Sequence, residues 1–89
     1  MELFFDASFE KSIRKIKDKN LKGKLLELIE LFEKADTLSS IPTLKKMTGF
    51  QHYYRVRLGS YRVGFELLEG NKILFIIVAH RKEIYKYFP

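Results

Sequence analysis

Apolar residues in the first part of the chain recur with the period of a helix. Phe9, Ile13 and Ile16 lie at i, i+4 and i+7, so they form one stripe along a first helix. Apolar residues follow the same period over residues 21–35, which predicts a second helix. Because only residues 18–20 separate the two segments, the pattern predicts an antiparallel helical hairpin whose stripes need a surface to cover.

Polar residues mark the borders of this hairpin. Asp6 or Ser8 is expected to cap the first helix, and Asn20 is expected to cap the second. Residues 2–5, which precede the first cap, are predicted to form a short strand. Residues 36–44 are loop-like and contain a proline, which excludes a continuous helix through them.

The second half of the chain changes to the alternation typical of strands. Three strands are predicted over about residues 52–58, 61–68 and 72–79. Gly59-Ser60 separates the first two, and Glu69-Gly70-Asn71 separates the last two, so both connections are predicted to be hairpin turns.

The register of the first hairpin determines what its two faces carry. A two-residue turn at Gly59-Ser60 gives the pairs Leu58 with Tyr61, Arg57 with Arg62, Val56 with Val63, and Tyr54 with Phe65. One face is then apolar, and the other carries Arg55, Arg57 and Arg62. Two arginines directly opposite each other destabilise a sheet by roughly 0.2–1 kcal/mol unless an anion lies across them. We interpret this face as an anion site on a rigid sheet; the alternative is a solvated strand face.

The last strand is apolar on both sides. If Gly70-Asn71 are the central residues of the second turn, Phe65 pairs with Ile76, Val63 with Val78, and Tyr61 with His80. Leu74, Ile76 and Val78 would then join the core, whereas Phe75 and Ile77 would lie on the arginine side. Cover from another segment would explain these two residues. The tail, residues 81–89, can form a short helix with Arg81 and Tyr85 at i and i+4 on one side.

Length and composition indicate one domain over residues 1–89. The chain is 46% hydrophobic and 15% aromatic, which suits a small folded core and excludes a disordered chain. It has no cysteine and only two histidines, so we expect no disulfide, no metal site and no cofactor. No basic leader precedes the first apolar residues, and the longest apolar run, residues 73–79, is far shorter than the roughly 20 residues of a membrane span. A cytoplasmic location without membrane contact is therefore expected.

The net charge of +6 favours a polyanionic partner, but charge alone does not choose among RNA, DNA, a membrane surface and an acidic protein. The excess lies mainly in the second half. Residues 51–89 hold seven Lys and Arg against three Asp and Glu, whereas residues 1–50 hold ten against eight.

The arginines, together with residues near the end of the last strand, suit phosphodiester chemistry. Arginine binds phosphate bidentately and stabilises the charge that develops when a 2′-hydroxyl attacks the phosphorus. It cannot act as an ordinary base, because its pKa exceeds about 12. The proton-transfer group must come from His80, Tyr85, His52 or Lys82, or from the surroundings of the substrate.

Each of these candidates has a structural alternative. His80 is predicted on the core side, where a packing histidine is as plausible as a catalytic one. Tyr85 either stacks on a nucleobase or packs the tail onto the sheet. His52 is more plausibly plain surface, and Lys45 and Lys46 fit a solvated loop.

Taken together, these segments resemble the RelE/ParE superfamily of toxins from toxin–antitoxin systems, most closely its RelE-like branch. The resemblance covers nearly the whole chain. Its most specific parts are Leu44-Lys45-Lys46-Met47-Thr48-Gly49, Tyr54-Arg55-Val56-Arg57 with Gly59, Tyr61-Arg62-Val63, and His80-Arg81-Lys82-Glu83-Ile84-Tyr85. It implies an α+β fold in which the helical hairpin packs on a four-stranded antiparallel sheet that includes the first strand, with a short C-terminal helix.

The resemblance also implies a function. Members of this branch are cytoplasmic toxins that enter the ribosomal A site, cut mRNA there without a metal and are silenced by a cognate antitoxin, in a toxin–antitoxin hetero-oligomer. Arg62 resembles the family's catalytic arginine, Arg81 the second arginine, and Tyr85 the tyrosine that stacks on the cleaved nucleotide. His80 joins them as a candidate for proton transfer.

The expected RNA contacts come from basic residues around these positions: Arg55, Arg57, Lys82, Lys45 and Lys46. Arg55 and Arg57 stand where some members carry lysines, one of which has been cast as the base. A lysine base is therefore not available at these two positions.

Two other functions remain open at this stage. The ParE-like branch shares the fold but poisons DNA gyrase, and a non-catalytic relative would bind RNA or protein through the same basic face. For the antitoxin, we expect a short, acidic, amphipathic segment that covers apolar surface around the arginine side, including Phe75 and Ile77.

Overall fold

The helices and strands follow the predicted order. The computed structural model describes residues 1–88, so Pro89, the last residue of the predicted tail, lies outside them. The elements are β1 (Glu2–Phe5), α1 (Ala7–Arg14), α2 (Lys19–Lys34), a 3-10 turn (Leu38–Ser40), β2 (Leu44–Lys46), β3 (Tyr53–Leu58), β4 (Tyr61–Leu68), β5 (Lys72–His80) and α3 (Ile84–Tyr87). None of the helices in residues 1–88 has both the length and the apolar character needed to cross a membrane.

Aspartates cap both long helices. The Asp6 carboxylate accepts from the Ser8 amide at 3.0 Å, which confirms Asp6 as the first cap. The prediction of Asn20 as the second cap is wrong, because α2 begins earlier and Asp18 accepts from the amides of Asn20 and Leu21. Asn20 therefore lies inside the first turn, where its own amide needs a partner and receives one.

The α+β prediction is confirmed, but the sheet has five strands, in the order β1-β5-β4-β3-β2. One extra strand, β2, comes from the end of the predicted loop, where Leu44 pairs with Val56 and Lys45 with Arg55. The sheet is also mixed rather than antiparallel, because β1 runs parallel to β5. The backbone continues this pairing through Asp6, whose amide donates to the Phe75 carbonyl, and α1 then packs across β5.

The first hairpin has the predicted register: Leu58 pairs with Tyr61, Arg57 with Arg62, Val56 with Val63, and Tyr54 with Phe65. Gly59 has φ +61°, a conformation in which glycine is favoured.

The second hairpin differs near its turn. Its loop is three residues long, with positive φ at Gly70 and Asn71, so Phe65 pairs with Phe75 rather than with Ile76. A bulge beside Gly64 restores the predicted pairing further along, at Val63 with Val78 and Tyr61 with His80.

The bulge changes which side chains of β5 enter the main core. Phe75, predicted on the arginine side, is fully buried in the main core, and its ring centroid lies 5.4 Å from that of Phe9 and 5.1 Å from that of Phe32. Ile76, predicted in the core, packs instead on the other face. Leu74, also predicted in the core, is half-buried outside the main core, which takes Ile73 instead. These three predictions were wrong for the same reason, since a shift of one residue moves a side chain to the opposite face.

A second, smaller apolar cluster lies on the arginine side of the sheet. Its buried members are Met47, Ile84 and Phe88, with Tyr53, Ile76, Ile77 and Ala79 packed against them. The tail therefore supplies the cover that the two-sided apolar pattern of β5 required, and Ile77 lies on the predicted face.

Candidate functional site

The arginine face is built on the central strands of the sheet. Arg55 and Arg57 project from β3, and Arg62 projects from β4 directly opposite Arg57. Arg57 is exposed, whereas Arg55 and Arg62 are half-buried. Because β4 is paired on both sides, the backbone that carries Arg62 is held by two neighbouring strands.

The Arg62 guanidinium is anchored over its own turn. Its Nη1 donates to the carbonyl oxygens of Gly59 at 3.0 Å and Tyr61 at 2.9 Å. No other hydrogen bond of this side chain is formed within residues 1–88, which leaves N–H groups available for an anion.

The electrostatic environment of Arg62 is strongly positive. Burial lowers its pKa below that of a free arginine, and the charges of Arg55, Arg57 and Arg81 lower the pKa further, while Tyr85 opposes the shift. Within the described part of the chain, the one salt bridge joins Lys86 and Glu83, so no carboxylate lies within 4.0 Å of these arginines. No acidic side chain of residues 1–88 therefore forms a salt bridge with the cluster.

Arg81 is brought to this cluster by the end of β5. Its amide donates to the Ser60 carbonyl at 2.9 Å, which ties the segment after β5 to the turn of the first hairpin. The Arg81 side chain is exposed. Lys82 follows it and is also exposed, and its amide donates to His80 Nδ1 at 3.2 Å.

Tyr85 faces the arginines from α3. Its side chain is 62% exposed, and the Arg55 Cζ atom lies 5.9 Å from the centroid of its ring. Both side chains line an open groove of about 350 Å³. The residues that line the groove are Lys45, Lys46, Met47, Thr48, Phe50, Arg55, Tyr85 and Phe88.

Lys45 and Lys46 enter the groove because β2 forms. Lys45 pairs with Arg55, which adds a third basic strand to the face. The sequence reasoning missed Met47, Phe50 and Phe88 as parts of the groove wall. The only signal for them in the sequence is that apolar residues follow Lys45-Lys46 and stand near the end of the tail.

His80 lies on the other side of the sheet. Its ring meets Tyr61 edge-on, with centroids 5.6 Å apart, and it lines a second groove, of about 410 Å³, together with Lys11 and Lys15 from α1. Its Nδ1 already accepts a hydrogen bond from the Lys82 amide. His52 is exposed ahead of β3. The structure thus brings the arginines, Tyr85 and the two lysines together, and it separates His80 from them.

This arrangement can hold a chain of phosphates beside a stacking surface. Three arginines and Arg81 provide fixed positive charge, and an exposed tyrosine provides a flat face for a base. Residues 1–88 contain no group of three or more His, Asp or Glu side chains placed to hold a metal ion.

Comparison with known proteins gives consistent matches over nearly the whole chain. A family model described as the ParE toxin of type II toxin–antitoxin system, parDE, matches residues 3–85. A protein named Toxin RelE3, from Methanocaldococcus jannaschii, is 34% identical over 90 residues, covering 100% of both chains.

Solved structures agree with these matches. The RelB–RelE antitoxin–toxin complex from Methanococcus jannaschii contains a chain that superposes with a TM-score of 0.81 at 34% identity, covering 97% of this chain and 99% of that chain. A chain of the intact RelBE complex from E. coli shares the fold, with a TM-score of 0.64 at 22% identity and coverage of 89% and 94%.

Proposed function

The chain belongs to the ParE toxin family of type II toxin–antitoxin systems, and we propose that it acts as a ribosome-dependent mRNA endoribonuclease. The observation that carries this proposal is the arginine cluster around Arg62. This cluster has no salt-bridge partner within residues 1–88, and its member Arg55 lines an open groove together with the exposed Tyr85. The name of the full-length relative, Toxin RelE3, supports the RelE-like activity over other activities of the fold.

The proposed reaction is an in-line displacement at phosphorus. The 2′-oxygen of one nucleotide attacks the adjacent phosphorus, the bond to the 5′-oxygen breaks, and the products are a 2′,3′-cyclic phosphate and a free 5′-hydroxyl. The proton of the 2′-hydroxyl goes to a base, and the leaving oxygen takes up a proton. Arg62 and Arg81 stabilise the additional negative charge on the phosphorane oxygens.

The other residues of the groove bind and orient the RNA. Tyr85 stacks on the base beside the cleaved bond, which fixes the sugar for in-line attack. Phosphates on either side are held by basic side chains at the groove and on its rim: Arg55, Arg57, Lys45, Lys46 and Lys82. These charges act without a metal ion in the proposed mechanism.

The proton-transfer group is the least complete part of the site. Histidine is the side chain best suited to proton transfer near neutral pH, but His80 lines the second groove. Tyr85 and Lys82 are the candidates on the arginine side. Because the groove is open to solvent, we assign part of the substrate positioning, and a share of the acid–base chemistry, to the ribosome.

The proposed partners are the mRNA-loaded ribosome and a cognate antitoxin in the cytoplasm. The solved relatives include complexes with RelB antitoxins. The expectation that an antitoxin covers Phe75 was wrong, because Phe75 is buried in the main core. Ile77 is already partly covered by the tail cluster. We therefore place the acidic segment of the antitoxin on the basic groove itself.

Inhibition of DNA gyrase is the second candidate function, because the matching family model is named for ParE. One assay separates the two candidates. The purified chain is incubated with programmed ribosomes, with free mRNA and with gyrase, and the RNA cut sites are mapped. Cuts within the A-site codon that require the ribosome support the proposal. Gyrase inhibition without RNA cleavage would replace it with the second candidate, and equal cleavage of free mRNA would refute ribosome dependence.

A further inference from the structure

The tail helix α3 is short, and a specific contact holds it on the sheet. Only residues 84–87 are helical, and a helix of one turn has little stability of its own. Ile84 and Phe88 are nevertheless almost fully buried, with exposed fractions of 0% and 2%. Tertiary contacts of these two side chains must therefore fix the position of α3.

Phe88 is seated directly against the backbone of Gly64. A Cβ atom at Gly64 would lie 2.7 Å from Phe88 Cδ2, 2.8 Å from Cγ and 2.9 Å from Cε2. These distances are shorter than any normal carbon–carbon contact, so only glycine leaves room for the ring. The ring also meets Tyr53 edge-on, with centroids 5.6 Å apart. Gly64 does not have a positive φ, so the backbone conformation does not itself require glycine there.

The position of Gly64 links this contact to the arginine cluster. Gly64 pairs with Arg55 on β3 and follows Arg62 by two residues, on the same face of β4. A ring held at Gly64 therefore lies on the arginine face, next to the backbone positions of both Arg55 and Arg62. Tyr85 is three residues before Phe88, on an adjacent side of α3, and from there it reaches the Arg55 guanidinium.

We infer that Gly64 and Phe88 are positioning residues for Tyr85: the missing side chain at Gly64 admits the Phe88 ring, and the seated ring holds α3 so that Tyr85 faces Arg55 and Arg62. Of these three residues, Tyr85 is the one that contacts RNA in the proposed mechanism. The consequence for catalysis rests on the proposed function, whereas the consequence for the tail does not.

The tail arm of the test uses Gly64→Ala, with Gly23→Ala as its matched control, since a Cβ at Gly23 would have no atom within 4 Å. Hydrogen exchange of the Phe88 amide, which donates to the Ile84 carbonyl, reports on docking of α3. Overpacking of this kind shifts an equilibrium by roughly 5- to 150-fold, so exchange should accelerate by a factor in that range in Gly64→Ala and not in Gly23→Ala. In a Phe88→Ala background, Gly64→Ala should add nothing. Unchanged exchange in Gly64→Ala would overturn the inference.

The catalytic arm measures single-turnover cleavage of mRNA on programmed ribosomes. Gly64→Ala should lower the maximal rate while leaving ribosome binding nearly unchanged. In a Tyr85→Ala background it should change the rate by less than about twofold, because both changes remove the same contact. If Gly64→Ala lowers the cleavage rate as much in the Tyr85→Ala background as in the unmodified chain, Gly64 does not act through Tyr85. If the unmodified chain cuts no mRNA, the proposed function fails, and the exchange arm still decides whether Gly64 seats Phe88.

Discussion

Replacing Arg62 by alanine is expected to lower the rate of mRNA cleavage by about 10²–10³-fold, which is the usual cost of removing one preorganised donor to a developing oxyanion. The structure supports a value in this range rather than a smaller one. The guanidinium is half-buried on a central strand and is already oriented by its bonds to the Gly59 and Tyr61 carbonyls. An arginine held in this way loses little side-chain freedom when it engages the transition state.

The same change should leave the fold intact, which separates the catalytic loss from unfolding. Alanine removes the two backbone hydrogen bonds, each worth about 0.5–1.5 kcal/mol net. It also removes the repulsion between Arg57 and Arg62, worth roughly 0.2–1 kcal/mol. The two effects oppose each other, so the free energy of unfolding should change by no more than about 1–2 kcal/mol.

The assay is single-turnover cleavage on programmed ribosomes, with urea unfolding measured on the same preparations. Arg14→Ala, an exposed position at the end of α1, is the control for a change in net charge. Arg62→Lys should fall between the unmodified chain and Arg62→Ala, since lysine keeps the charge but loses the planar fork. A loss below about fivefold in Arg62→Ala, well under the range for an oxyanion donor, would remove Arg62 from the catalytic residues.

Further predictions test other parts of the molecule. If the Tyr85 ring stacks on a base, Tyr85→Phe should lower the cleavage rate only slightly, whereas Tyr85→Ala should cost about 1–3 kcal/mol in transition-state binding. Equal losses of cleavage rate in the two variants would make the hydroxyl the proton-transfer group. His80→Gln should leave the pH–rate profile of cleavage unchanged because the ring lines the other groove, and a profile altered by this substitution would restore His80 as the base. Phe75→Ala should destabilise the fold by about 3–5 kcal/mol in urea unfolding, and a loss near 1 kcal/mol or less, typical of surface changes, would contradict the bulged register. The hydroxyl of Ser8, and then its amide, lower the pKa of Asp6 below the usual 3.8. The Asp6 carboxylate therefore contributes stability above its unfolded pKa and loses it as pH falls through the folded value. Asp6→Asn should accordingly flatten the decline in stability below about pH 4, and an identical acid limb in the two proteins would refute this.

Local patterns predicted most of the fold because their physical causes are local. The buried stripe of α2, which includes Leu21 and Leu25, and the register around Gly59 follow from periodicity and turn chemistry alone. The predicted stripe of the first helix is shorter than expected, because α1 ends at Arg14 and Ile16 is buried beyond the helix. The errors arose where a distant contact decided between near-equal local choices. The local sequence around Gly70 and Asn71 suits a loop of two residues almost as well as a loop of three residues. The loop of three residues shifts the register of β5 by one residue, which moves Phe75 to the opposite face of the sheet.

The candidate site was predictable to a similar degree. The alternation in β3 and β4 was enough to place Arg55, Arg57 and Arg62 together. The contribution of β2 was not predictable, because a strand of three residues with one apolar side chain has no periodic signal. The role of Gly64 was also hidden, since a glycine in a strand is informative only when the ring opposite it is known.

The electrostatic repulsion within the arginine cluster suggests how a toxin with this face can be inhibited. Arg57 and Arg62 repel each other, and no acidic side chain within residues 1–88 lies close enough to neutralise them. An anion placed across them recovers this energy, whether the anion is a phosphate of mRNA or a carboxylate of an antitoxin. Under the proposed function, both ligands would use the same surface and the same electrostatic gain, so binding of one would oppose binding of the other. Because these charges are largely solvent-accessible, salt should weaken both interactions together.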